Sequence, residues 1–170
     1  LSVIEAFIAD PDDSGLESVK SAYFDAYIAY QAAAVHNYYA TANLDLVNTT
    51  NLYPIDVTLL YDFIENESYN FNVLNQQRAN GFPALDYLFY GNGDVISTIS
   101  DDPKTASFIL ELATAMKDKA DLLAERWTGS LKDNFIGNGG VALGSSVSVQ
   151  LNRSLVYYED HVRGNKVGLP

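Results

Sequence analysis

No cysteine occurs among the 170 residues of this chain. Disulfides, thiolate metal centres and a cysteine nucleophile are thereby excluded, and the absence is compatible with an oxidising envelope compartment without requiring one. Basic residues are also scarce: 10 Lys and Arg stand against 22 Asp and Glu, giving a net charge of −12 and a pI near 4.3. A phosphate-binding surface needs clustered Lys and Arg, so nucleic acid is excluded as a partner. Histidine occurs only twice, at His36 and His161, 125 positions apart. Neither His-Glu-x-x-His nor Glu-x-x-His is present, which removes the usual zinc-hydrolase and di-iron bundle patterns. No run of about 18 apolar residues is available to span a bilayer. The first residues lack the basic-then-apolar design of a secretion signal.

What is present is a chain that is 48% hydrophobic, enough for one domain with a sizeable core. Leu1, Ile4 and Ile8 already stand at helical spacing with no cap before them. The expectation is a mature or truncated form from which a targeting segment has been removed. Asp10-Pro-Asp-Asp-Ser-Gly-Leu-Glu17 has the early acidic positions and central glycine of a calcium-binding loop, but its twelfth position, which should be a bidentate Glu, is Ser21. Ser14 with Glu17 reads better as a capping box ahead of a long apolar run.

The apolar spacing predicts a helix from Leu16 to about Tyr39, with Val19, Tyr23, Tyr27, Tyr30 and Ala34 on one face. Phe24, Ile28 and Val35 widen the stripe, so little of this helix is expected to face water. His36, at its end, reads as a core or capping residue or as a metal ligand without a partner imidazole. Asn43 to Asn51 is a polar connection, and Asn48, Asn66 and Asn152 each open a glycosylation sequon. Asp56 caps a helix that buries Val57, Leu60 and Ile64 and ends by Asn66. Val95 to Ile99 is β-branched enough for a brief extended segment. Asp101-Asp102-Pro103 opens a helix that runs to about Thr128, with Ile109, Leu112, Met116, Ala120, Leu123 and Trp127 inward.

Gly129 to Gly144 reads as a flexible loop. Its Gly137-Asn-Gly-Gly140 lacks the strand and the Gly-Lys-Ser/Thr context of a phosphate cradle. Ser145 and Ser146 then cap a last helix whose buried stripe is Val147, Leu151, Leu155, Tyr158 and Val162, ending at Gly164. The fold class that follows is all-α, a helical bundle.

The stretch Asn80-Gly-Phe-Pro-Ala-Leu-Asp-Tyr-Leu-Phe-Tyr-Gly-Asn-Gly-Asp94 organises the rest. It reads as a buried helix of about two turns with Gly81 left-handed at its entrance and Pro83 in the first turn. Asp86 is the one carboxylate on that apolar helix. With Phe82, Phe89 and Tyr90 on its face it is expected to need a partner, and Arg78 is the natural counter-charge. On the last helix Glu159 precedes Arg163 by four residues, the favourable order for a salt bridge.

The stretch resembles the helix of the imelysin-like family that carries Gly-x-His-x-x-Glu, with Gly81, Pro83 and Asp86 at the positions of Gly, His and Glu. Tyr53-Pro54, Tyr157-Tyr158-Glu159, Arg163, Lys166, Gly168, Leu169 and Pro170 extend the resemblance over most of the chain. Pro83 in place of His removes the imidazole from any metal site built on the motif. The resemblance implies one helical lobe of a two-lobe fold, with residues 1–163 as the lobe and 164–170 as an exit linker toward a second lobe. It also implies a place in the cell envelope, in the periplasm or anchored to the outer membrane as a lipoprotein, with envelope proteins among its partners.

The function implied is non-catalytic binding or uptake of iron, another divalent metal or a related ligand, as in iron-regulated members of the family. Arg78, Asp86, Tyr87, Glu159, Arg163 and Lys166 are the candidate ligand-binding residues, and His36 and His161 the candidate metal ligands. No catalytic residue is identified. Two alternatives stand beside this reading: the metallopeptidase proposed by the family's older name, insulin-cleaving metalloproteinase, and a surface interaction module drawing on the 12 tyrosines.

Overall fold

Local capping and apolar periodicity make helices wherever the chain is described. The computed structural model describes residues 1–35, 46–71, 73–91, 93–137 and 147–168, and every regular element among them is helical. By internal contacts the chain divides into two compact units, residues 1–29 with 46–120, and residues 30–45 with 121–170. His36, the connection from Asn43 to Asp45, the Gly-rich run from Asn138 and the serines Ser145 and Ser146 lie outside the described residues, as do Leu169 and Pro170.

In the first unit, α1 (Ser2–Ala9) buries Phe7 and leads into α2 (Asp13–Ala34), whose first part belongs here. The cap of α2 is not the expected Ser14. Asp12 holds that position, its Oδ1 accepting from Gly15 N at 2.6 Å, because the helix begins a turn earlier than the apolar stripe. Phe24 and Ile28, expected to widen the buried stripe, are 58% and 55% exposed, so α2 buries one narrow face through Val19 and Tyr23. A short helix α3 (Leu46–Thr50) occupies part of the expected polar connection. After a cis Tyr53–Pro54 peptide, α4 (Val57–Asn66) starts with Asp56 accepting from Leu59 N at 3.0 Å, as its sequence predicts, and buries Leu60, Phe63 and Ile64.

A 3₁₀ turn (Leu74–Ala79) delivers the chain to α5 (Gly81–Asp86), and a π-helical turn (Tyr87–Gly91) continues it. All of Gly81 to Leu85 is buried. Val95 to Ile99 is not extended but the start of α6 (Val95–Asp101). Asp94 decides this locally, its carboxylate accepting from Ser97 N at 3.1 Å and from Ser97 Oγ at 2.7 Å, and this cap outweighs the β-branched preference. The bonds to Ser97 also hold the Asp94 carboxyl below its ordinary pKa. Next, α7 (Pro103–Thr128) opens with Asp102 accepting from Lys104 N and Thr105 Oγ1 at 3.0 and 2.6 Å. Its first turns are fully buried at Phe108, Ile109 and Leu112; Met116 and Leu123 are half-buried and Ala120 is exposed. The core joins these residues to α4, α5 and α6, with Tyr69 and Phe71 set edge-on to the Phe108 ring at 5.0 and 5.8 Å.

In the second unit, the expected loop is partly helix: α8 (Ser130–Gly137) places Phe135 edge-on to Trp127 at 5.7 Å. That aromatic contact ties a polar, Gly-flanked segment back onto the preceding helix. The last helix, α9 (Val147–Val156), continues as a π-helical stretch (Tyr157–Lys166) through Gly164 rather than ending there. Three residues of its expected buried stripe are exposed, Leu151 by 61%, Leu155 by 56% and Tyr158 by 53%, while Val162 is half-buried. Periodicity identifies an apolar face but supplies no partner for it, and the change to a longer helical period at Tyr157 breaks the stripe's alignment.

Candidate functional site

The entrance of α5 is built on a backbone approach that only glycine permits. Gly81 has φ +72°, and a Cβ there would run into the Thr50 carbonyl of α3. Asn80, itself buried, fixes this entrance by accepting from Gly81 N at 2.6 Å and donating through Nδ2 to the Phe71 carbonyl at 3.0 Å. Thr49, Thr50, Asn51 and Gln77 are buried polar residues as well. Pro83 is buried within the helix and presents no ligating atom.

Asp86 is where the structure departs furthest from expectation. The sequence pattern predicts a buried carboxylate needing a counter-charge; the side chain is exposed. The reason is the π-helical turn that begins at Tyr87. Its extra residue per turn displaces Phe89 and Tyr90 from the i+3 and i+4 positions of an α-helix, so Phe89 is buried while Tyr90 is 52% exposed. Arg78 is not its partner. Its guanidinium is exposed with no ion pair to Asp86 among the described residues, and its contribution is the carbonyl that accepts from Asp56 N at 2.8 Å.

The Asp86 charge acts instead on a set of tyrosines that contact one another. Tyr23 and Tyr27 of α2 stack at 6.1 Å with an interplanar angle of 7°. Tyr90 stands edge-on to Tyr23 at 5.9 Å, and Phe82 stands edge-on to Tyr27 at 5.0 Å. Tyr27 is hydrogen-bonded to Tyr53, which is 49% exposed. The Tyr23 hydroxyl donates to the Phe82 carbonyl at 3.3 Å. Lys20 places Nζ 5.3 Å from the Tyr90 ring centroid, while the Tyr90 hydroxyl donates to the Lys20 carbonyl at 3.4 Å. Burial first, and then the Asp86 charge, push the Tyr23 hydroxyl far above its ordinary range. Tyr53 is raised by burial, by Tyr27 and by Asp86. These phenols therefore stay neutral over the physiological range.

Tyr87 is half-buried, edge-on to Tyr61 at 6.2 Å, and hydrogen-bonded to it; that bond, ahead of burial, pushes the Tyr61 hydroxyl up to about 12. Gly91 leaves space for the Tyr87 ring, since a Cβ there would lie 3.1 Å from it.

The remaining candidates belong to the second unit. Arg163 pairs with Glu159 as its spacing predicts, through Nη2 at 2.5 Å and Nε at 2.6 Å. His161 packs on the Tyr157 ring at 5.0 Å. Lys166 closes the π-helical stretch, and its side chain lies outside the described residues. Among the described residues no three His, Asp or Glu side chains gather closely enough to hold a metal ion. The described residues therefore do not by themselves supply a donor set for a resident metal. Lys20, Tyr23, Tyr27, Tyr53 and Tyr90 escaped the sequence reading as site residues. The i, i+4 spacing of Tyr23 and Tyr27 was the available signal, and it reads equally as core.

The fold and site define an all-helical protein whose motif helix ends in an exposed carboxylate among tyrosines. The family model described as imelysin matches residues 1–170, and the chain belongs to the imelysin family. No curated protein and no solved structure matches it. No described helix is long and apolar enough to cross a membrane.

Proposed function

We propose that this chain is a non-catalytic, ligand-binding member of the imelysin family that works in the cell envelope, with iron, another metal or a related ligand as its cargo. The observation that carries the reading is the pairing of Pro83 with Asp86. The motif helix offers no imidazole at the one position and, at the other, a solvent-facing carboxylate whose charge helps keep nearby phenols protonated. One carboxylate with neutral phenols can hold and orient a ligand. A hydrolase would need two imidazoles or their equivalent and a separate general base. Arg78 and Tyr87 flank the same stretch of chain and are the further contacts proposed in this unit. Glu159, Arg163 and Lys166 are proposed separately as ligand-binding residues of the other unit, and residues 164–170 as an exit linker.

Calorimetric titration of the full native-sequence protein with ferrous, ferric and zinc ions, alongside Asp86→Asn, tests this. Saturable binding that weakens in Asp86→Asn is expected. Binding that is indifferent to Asp86, or absent for every ion and every small ligand tried, contradicts it. The exposed Leu151, Leu155, Val156 and Tyr158 favour a surface interaction as a second reading. Association at high protein concentration that disappears in Leu151→Ser/Leu155→Ser would support that one instead.

A further inference from the structure

We propose that the outer face of α2, within the first unit, docks a basic amphipathic helix of a partner protein. The proposal is independent of the reading of Asp86. It rests on where α2 exposes its large apolar side chains and on how charge is divided between the two units.

Phe24 and Ile28 stand one turn apart on α2 and are 58% and 55% exposed. Every other exposed position of α2 in this unit is Asp, Glu, Ser or Ala, so the pair interrupts a polar face. Val19, on the opposite side of the helix, is the residue that α2 gives to the core. Tyr90, 52% exposed, lies against the same helix: its hydroxyl donates to the Lys20 carbonyl at 3.4 Å and its ring stands edge-on to Tyr23 at 5.9 Å. Its ring broadens the apolar surface beside the pair.

Charge selects the partner. The helical period sets Asp13 and Glu17 on the face of Phe24 and Ile28, toward the N-terminus of α2, and Asp25 borders the pair; all three are exposed. Asp13 and Asp25 enter no ion pair among the described residues. Glu17 holds Lys20 at 3.3 Å, an exposed pair that a partner's Lys or Arg can exchange with at little cost. The first unit carries 16 Asp and Glu against 5 Lys and Arg, a net −11, whereas the second carries 6 against 5, a net −1. A second copy of the chain or an anionic lipid surface would meet that charge with its own sign. The segment that fits has two apolar residues one turn apart and Lys or Arg about 10 to 16 Å away along its axis, the span from Phe24 back to Glu17 and Asp13 at the helical rise.

The test is fluorescence anisotropy of a dye-labelled synthetic peptide of about 18 residues, with leucine at helical spacing and lysine elsewhere, titrated with the full chain. A scrambled peptide of the same composition, phosphatidylserine vesicles and sedimentation of the chain alone are parallel arms. Saturable binding of the patterned peptide is expected, weaker by about tenfold or more for the scrambled peptide and for Phe24→Gln/Ile28→Gln. Asp13→Asn/Glu17→Gln should weaken it by about threefold and flatten its salt dependence. The melting temperature of Phe24→Gln/Ile28→Gln should stay within a few degrees of wild type, because both side chains are exposed. Equal binding of the two peptides, or binding indifferent to Phe24→Gln/Ile28→Gln, means that acidity alone acts and overturns the proposal. Self-association or vesicle binding that this double variant abolishes would give the face to a second copy or to lipid, and a large fall in its melting temperature would give the face to the fold's own interior. Each of those results overturns the proposal too.

Discussion

Gly81 carries a constraint that no other residue type can meet, because both its backbone angle and its surroundings exclude a side chain. Gly93 shares the left-handed angle, at φ +67°, but a Cβ there would meet nothing within 4 Å. The pair separates strain from crowding. Gly93→Ala should cost about 1–2 kcal/mol, the penalty of the left-handed conformation alone. Gly81→Ala should cost about 3 kcal/mol or more, because α5 must also move away from Thr50. Urea unfolding of the two variants checks the difference, and equal losses would mean that the backbone approach at Thr50 is not tight. Asp86 makes the reverse prediction. With its carboxylate exposed and without an ion pair among the described residues, Asp86→Ala should change stability by no more than about 0.5 kcal/mol. A melting temperature that falls by many degrees would restore the buried, structurally paired carboxylate that the sequence pattern leads one to expect.

At the scale of the element, α7 shows how one helix serves two environments. Its first turns bury Phe108, Ile109 and Leu112 completely, whereas Leu122 is 38% exposed. Leu112→Ala should therefore cost about 2–5 kcal/mol and Leu122→Ala less than about 1 kcal/mol, measured by denaturant unfolding. The existence of α2, α4 and α7 was legible because their apolar residues recur at helical spacing, in α4 and α7 behind Asp or Pro caps that the sequence shows, whereas the Asp12 cap of α2 was not read. Two elements were not. In α6 the side chain of Asp94 overrules five residues that look extended, and in α8 the Trp127 ring stabilises a segment whose composition reads as loop. The site was half legible. Gly81, Pro83 and Asp86 stand out in the sequence, but no period in it announces the π-helical turn that follows Asp86 and buries Leu88 and Phe89. The tyrosines of α2 and Tyr53 meet only because α2 packs near the motif helix, a contact between residues far apart in the chain.

For the whole molecule, the tyrosines couple stability to alkaline pH. Tyr69 is pushed up to about 12, by burial first and then by a hydrogen bond to Glu111; Tyr61 reaches about 12 through its bond to Tyr87, and Tyr23 and Tyr53 are raised as well. A hydroxyl whose folded pKa exceeds its unfolded value of 10.0 contributes stability that is fully present below that value and is lost as pH rises through the folded one. Tyrosinate absorbance should therefore lag behind that of the denatured chain from pH 10 upward, and helicity should fall as the lagging hydroxyls ionise. A native titration that overlays the denatured one would contradict this account of the aromatic cluster.

Family membership and the absent motif histidine pull the functional reading in different directions, and catalysis is where they part. The direct measurement is mass-spectrometric detection of cleavage products when the purified full chain is incubated with a mixture of unfolded peptides, in parallel with zinc, with iron and with a chelator. The account predicts no product above the blank in any arm. Chelator-sensitive cleavage by the wild-type chain that is lost in Asp86→Asn would contradict it.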